Sequence, residues 1–131
     1  MNRRTLLCLA PLLVLPPRTL AQDAASVTLD QARAAVEAGR RLIDVREPSE
    51  HATGIAPGAQ RLPMSELPQR LGQLPSAKDE PFLLICRTQN RSKRVAQQLK
   101  ELGYTRVQFV EGGMAGWAAR GWPLETPPKT P

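Results

Sequence analysis

The sequence predicts an α/β fold, a central parallel sheet flanked by helices on both faces. Three observations carry that expectation. Apolar runs at residues 42–45, 82–86 and 107–110 are too short for helices and read as strands, those at 82–86 buried. Between the last two, Val95, Ala96, Leu99 and Leu102 recur at helical spacing, with Lys93, Arg94, Gln98, Lys100 and Glu101 on the other side. A helix joining two strands is the economical crossover of a parallel sheet. The 131 residues suffice for one domain with a core, and at 4% aromatic content that core is built from Leu, Val, Ile and Ala.

Residues 1–21 read as a secretory signal peptide: Arg3 and Arg4 open it, an apolar run broken by Pro11 follows, and Thr19-Leu20-Ala21 supplies small residues before a cleavage point. The run is too short to span a bilayer, so no stable membrane insertion is expected after cleavage. Export, to a bacterial periplasm, is the implied destination. Losing Arg3, Arg4 and Arg18 lowers the formal charge from +6 to +3, too little to argue for a nucleic-acid partner. The expected organisation is a signal segment at 1–21, one domain at 22–124 and a Pro-rich tail at 125–131.

Along the domain, Val27, Thr28 and Leu29 form a short edge strand, and Asp30 caps an Ala-rich helix that Gly39 stops. Residues 41–46 make a strand containing Asp44, an acid that needs a partner if buried. Residues 50–53 have room for barely one helical turn. Gln60, Arg61 and Leu62 form a brief strand, and Ser65 caps a short helix to about Leu71. The strand at 82–86 then empties into a loop, residues 87–91, and the amphipathic helix begins at Ser92 and ends before Gly103. After the strand at 107–110, a Glu111-Gly112-Gly113 turn leads to a short helix bearing Trp117.

Ligands of such sheets bind beyond the carboxyl ends of strands, where Asp44 and Cys86 both fall. With Cys8 removed in the signal segment, Cys86 is the only thiol of the mature chain, so it has no internal disulfide partner. In Cys86-Arg87-Thr88-Gln89-Asn90-Arg91-Ser92, a loop curling around a centre aims its N–H groups inward, and the helix start adds unpaired donors. Such a place favours an anion and the thiolate form of a cysteine. Two readings stand side by side on these residues: a reactive thiol in an anion cradle with Arg87 and Arg91 as cations, or a core thiol beside two solvated arginines. One Cys and one His lack the ligands for a metal site. His51, the lone histidine, is distant in sequence.

Four stretches in register resemble the single-domain rhodanese family of sulfurtransferases: Leu42-Ile43-Asp44-Val45-Arg46-Glu47, Pro57-Gly58-Ala59, the Cys86-to-Ser92 loop, and Val110-Glu111-Gly112-Gly113 with Trp117. The resemblance extends over Asp30 to Leu124. The resemblance implies a rhodanese-like fold and a thiosulfate sulfurtransferase in which Cys86 takes sulfane sulfur from thiosulfate or a persulfide donor. An acceptor, cyanide, a small thiol or a protein thiol, then removes it. It implies no cofactor beyond that covalent persulfide. Arg87, Thr88, Gln89, Asn90, Arg91 and Ser92 would cradle the persulfide, with Arg87 and Arg91 attracting substrate, and Asp44 and Arg46 bracing the site. No general base is required, since the thiolate is the nucleophile and sulfite leaves as an anion.

Two departures from the family pattern stand out. Gln89 occupies a position where glycine is usual, so a positive φ there would be strained, or its side chain would cover the pocket mouth. Gly54-Ile55-Ala56-Pro57 lacks the usual histidine after its glycine, while His51 stands where an aromatic is common. Phosphatases and arsenate reductases with a similar cysteine cradle carry one more residue before the arginine; the four-residue gap from Cys86 to Arg91 favours sulfur over an oxyanion. A non-catalytic rhodanese-like sulfur carrier or binding module is the third alternative.

Overall fold

The computed structural model describes residues 24–128; residues 1–21, read from the sequence as a signal peptide, lie outside the described residues. In chain order the elements are β1 (Ala25–Val27), α1 (Leu29–Glu37), β2 (Arg41–Asp44), α2 (Pro48–His51), β3 (Gln60–Arg61), β4 (Phe82–Ile85), α3 (Asn90–Glu101), β5 (Val107–Val110) and α4 (Gly113–Ala119). The five strands form one sheet in the order β1-β5-β4-β2-β3, and every pairing is parallel. This is the expected α/β architecture with helices on both faces.

Alternation along the strands builds the two sides of the core. Phe82, Leu84 and Cys86 point with Ile43 and Val45 toward Val95, Ala96 and Leu99 of α3. Leu83 and Ile85 point the other way with Leu42 and Val110, against Leu29 and Ala32 of α1 and Met114 and Trp117 of α4. All four β4 residues are buried, which is why that stretch reads as an unbroken apolar run. The buried stripe of α3 is Ser92, Val95, Ala96 and Leu99, so a serine holds the stripe position nearest Cys86.

Several local expectations are corrected. Thr28, not Asp30, caps α1: its Oγ1 accepts from the Gln31 N–H at 3.1 Å and its own N–H donates to Gln31 Oε1 at 3.0 Å, a reciprocal capping box. Asp30 instead pairs with Arg120, the residue just past α4, at 2.8 Å. No α-helix starts at Ser65, whose hydroxyl donates to Glu47 at 2.7 Å; two 3-10 turns, Leu67–Gln69 and Leu71–Gln73, follow, with Pro68 inside the first. The α3 helix begins at Asn90 rather than Ser92, and Leu102, expected on its buried stripe, is 49% exposed past its end. At Glu125 the backbone still pairs with the fold, exchanging hydrogen bonds of 2.7 and 2.8 Å with Ile55.

Sheet topology places the site. From β2 the chain runs outward to the edge strand β3, whereas from β4 it runs through α3 to β5 on the opposite side. The carboxyl ends of β2 and β4 therefore flank the crevice where connections diverge, the usual ligand position of an open α/β sheet. Register brings them level: Asp44 lies opposite Ile85, and the Val45 N–H donates to Ile85 O at 3.0 Å.

Candidate active site

Cys86 is the first residue beyond β4 and keeps the inward parity of Phe82 and Leu84, which drives its thiol toward the start of α3. Only 1% of the residue is exposed. Its Sγ accepts from the Ser92 N–H at 3.3 Å and lies 3.3 Å from Ser92 Oγ, which donates to Gln89 O at 3.2 Å. As a thiol, Sγ can donate to that hydroxyl; as a thiolate, it can receive the hydroxyl proton instead.

The loop's orientation is set from below by α4. The N–H groups of Met114 and Ala115, unpaired first-turn donors, hold the carbonyls of Cys86 and Arg87 at 2.8 Å each. With those carbonyls turned toward α4, the Ser92 N–H is the backbone donor that reaches the sulfur among the described residues. The Arg87, Thr88, Gln89, Asn90 and Arg91 N–H groups have no acceptor among the described residues. Gly112 and Gly113 make this approach possible with consecutive positive φ values of 80° and 54°. A Cβ on Gly113 would lie 2.2 Å from Thr88 O and 2.4 Å from Cys86 O, so no other residue fits beneath the loop.

The strain expected at Gln89 is absent: its φ is −152°, and no described non-glycine residue has positive φ. Its side chain does not close the pocket mouth either, since Oε1 accepts from the Gly112 N–H at 3.2 Å. Gln89 thus ties the loop to the α4 turn. Arg87, Thr88 and Asn90 are exposed. The two arginines part company. Arg91 donates from both Nη atoms to the Glu50 carboxylate at 2.6 and 2.7 Å, while Arg87 pairs with no carboxylate among the described residues.

Behind the loop, Asp44 is fully buried and receives the Arg46 N–H, Nε and Nη2 at 2.8 to 3.1 Å. Arg46 in turn donates to the Glu50 and Gly54 carbonyls at 3.3 and 2.8 Å. His51 faces this group rather than the sulfur. Its Nε2 lies 3.3 Å from Asp44 O and 3.4 Å from Asp44 Oδ1, two acceptors, so Nε2 carries the proton. Burial pushes the Asp44 carboxyl up, but hydrogen bonds from His51 and Arg46 outweigh it and hold the group below its ordinary value. The Arg91 hydrogen bonds hold Glu50 down to about 2, and the same contact raises Arg91. A chain of charge-assisted contacts therefore runs from Asp44 through Arg46 and α2 to the first turn of α3.

Asp44 and Arg46 thus meet as a brace, and residues 86–92 form one ring. Sequence reasoning missed Glu50, His51 and Gln89's tether to Gly112. Glu50 lies 41 residues from its partner, and only the β2–β4 register brings them together. Beside the ring opens a cleft of about 510 Å³ between Arg87, the α2 turn, α4 and Leu124.

A model of the rhodanese-like domain family matches residues 28–120. A sulfurtransferase of Allochromatium vinosum is 38% identical over 86 residues, which cover 66% of this chain and 78% of that one. A putative sulfurtransferase of Bacillus subtilis is 41% identical over 88 residues, 67% of this chain and 78% of the other. Among solved structures, a human single-domain sulfurtransferase superposes with a TM-score of 0.67 at 28% identity, covering 74% of this chain and 97% of that one. The matched stretch holds the whole parallel sheet except β1, together with the Cys86 ring, its Asp44–Arg46 brace and the Gly112-Gly113 support: this chain belongs to the rhodanese-like domain family.

Proposed function

We propose that this protein is a sulfurtransferase that carries sulfane sulfur on Cys86, taking it from thiosulfate or a persulfide and passing it to cyanide or a thiol. The observation that carries the reading is the ring itself: a buried thiol, four residues between it and Arg91, and unpaired N–H groups from Arg87 to Arg91. The Cys86 thiolate attacks the outer sulfur of thiosulfate; a bond forms between Sγ and that sulfur, the old sulfur–sulfur bond breaks, and sulfite leaves with the electron pair. The persulfide then carries negative charge on its terminal sulfur, where fixed N–H dipoles favour it without reorganisation. Attack by the acceptor on the terminal sulfur restores the Cys86 thiolate. No step requires a proton from His51, consistent with its contact to Asp44. The pattern of residues 1–21 supports export, so we place this exchange in a bacterial periplasm.

The test is a parallel assay of thiocyanate formation from thiosulfate and cyanide, hydrolysis of an aryl phosphate, and reduction of arsenate. Thiocyanate formation lost in Cys86→Ser is expected, with neither oxyanion reaction. Phosphate hydrolysis or arsenate reduction without thiocyanate would contradict the reading.

A further inference from the structure

The end of the sheet opposite Cys86 carries a concentration of charge that sulfur transfer does not use. We infer that the hollow there binds a small molecule through a diphosphate group, free or esterified. Strand register builds the hollow. Arg41, Phe82 and Val107 lie level across β2, β4 and β5, so the residues just before them, Arg40, Pro81 and Arg106, form one row at the strand starts. Pro81 brings no charge and no N–H to the middle of that row. The two arginines flank it from strands two steps apart, roughly 10 Å at the backbone, within converging reach of their long side chains. Lys100, in the last turn of α3, lines the same hollow, whose volume is about 330 Å³. Cys86 lies five residues beyond Pro81 along β4. At the usual rise of a strand the thiol is roughly 16 Å away.

Charge selects the ligand. Arg40, Lys100 and Arg106 line the hollow, no carboxylate does, and none of the three forms an ion pair among the described residues. Arg40 and Lys100 are half-buried, so these charges are gathered rather than splayed into water. Like charges in one concave place repel, and a bound anion removes that repulsion. Lys100 also complements the carboxyl end of α3, which accounts for it but not for the two arginines. The adjoining depression shares Arg40 and Pro81 and holds one acid, Glu80, which faces Arg41 at 3.9 Å. A phosphate ester carries a charge of about −1.5 to −2, so two linked phosphates match three cations. A tricarboxylate spreads similar charge over a larger carbon frame. Guanidinium forks also suit phosphate oxygens, meeting them with two parallel hydrogen bonds. The hollow is at the small end of the roughly 300–1,000 Å³ of ligand sites, and the depression beside it, about 450 Å³, has room for a group esterified to the diphosphate.

Calorimetric titration of the full chain at physiological salt tests this, with pyrophosphate, ADP, inorganic phosphate and citrate as the probes. Pyrophosphate or ADP should bind at one site, about tenfold or more tighter than phosphate; the tighter of the two tells a free ligand from an esterified one. Arg40→Gln and Arg106→Gln should each weaken that binding about tenfold, the usual loss with one charge-assisted hydrogen bond. Ala25→Glu, which sets an acid on the exposed β1 wall of the hollow, should abolish it. Arg94→Gln removes an equal charge from the exposed side of α3 outside the hollow, and should change binding less than about twofold. Unchanged urea midpoints show that the variants are folded, and Arg40→Lys, which keeps the charge, should retain more affinity than Arg40→Gln. No binding of either diphosphate up to about 10 mM, far weaker than a functional site requires, overturns the inference. So does equal weakening by Arg40→Gln, Arg106→Gln and Arg94→Gln, or tighter binding of citrate. Binding lost in Arg87→Gln but kept in Arg40→Gln would put the anion at the cysteine loop instead, and adsorption to phosphatidylglycerol vesicles without binding of free diphosphate would make the patch a membrane contact; either result overturns it too.

Discussion

Alanine at Gly113 is a one-carbon change aimed at the support beneath the cysteine loop. The new Cβ would stand 2.2 Å from Thr88 O, 2.4 Å from Cys86 O and 2.7 Å from Arg87 O. All three are backbone atoms, so no side chain can swing aside. Even a close carbon–oxygen contact needs about 3.3 Å, so loop and α4 must separate by about 1 Å. That separation breaks the Met114 and Ala115 hydrogen bonds to the loop, about 1 kcal/mol each. Alanine at a φ of 54° adds about 1–2 kcal/mol. The total of about 3–4 kcal/mol is a large part of the 5–15 kcal/mol that stabilises an ordinary domain. Gly112→Ala is the matched comparison. It carries the same backbone penalty at a φ of 80°, but its Cβ meets only Leu29 Cδ1 at 3.3 Å, the end of a flexible side chain. Urea unfolding and the rate of sulfur uptake from thiosulfate, measured on the folded fraction, separate the two. Gly113→Ala should lose at least twice the stability of Gly112→Ala and slow uptake by about 100-fold, the usual effect of a 1 Å displacement at a reacting centre. Equal urea midpoints and equal uptake rates for the two variants would refute the idea that α4 shapes the ring.

Three further outcomes follow from the contacts. Arg87→Ala should raise KM for thiosulfate about five- to tenfold through loss of an unpaired cation, whereas Arg91→Ala should act on kcat by loosening the start of α3; steady-state kinetics showing the same split for both would contradict their separate roles. Glu50 titrates near 2 when folded, below its ordinary 4.5, so its tie to Arg91 stabilises fully above 4.5 and is lost as pH falls from 4.5 toward 2. Glu50→Gln should therefore flatten the acid limb of stability in that window and leave the slope above pH 5 alone, and an unchanged acid limb in urea titrations would count against the pair. Secreted from a Gram-negative host, the full chain should yield a mature protein whose N-terminal sequence starts at Gln22; an intact Met1 on cytoplasmic product would contradict export.

How legible each part was depends on how local its cause is. β4 was readable because all four of its residues are buried, leaving an apolar run, and α3 because Val95, Ala96 and Leu99 keep helical spacing. The α1 cap was also locally encoded: Thr28 and Gln31 satisfy the capping-box pattern, a stronger signal than Asp30 alone. Leu102 continued the pattern in sequence, but the helix ends before it and leaves it in solvent. At Gln89 the expectation came from what related loops carry. Here the backbone keeps a negative φ, the carbonyl takes both the Ser92 hydroxyl and the Lys93 N–H, and the side chain reaches Gly112. The bidentate pair of Arg91 and Glu50 was beyond local reading. Both side chains have roughly a third or less of their surface open, and their meeting depends on parallel strands ending level.

The central claim is that Cys86 holds transferred sulfur as a persulfide inside a ring of backbone donors. Intact-protein mass spectrometry after thiosulfate treatment tests it most directly. The account predicts a gain of one sulfur atom, mapped to Cys86 by peptide analysis, removed by cyanide and absent in Cys86→Ser. No gain on the wild-type chain, or an equal gain in Cys86→Ser, would contradict it.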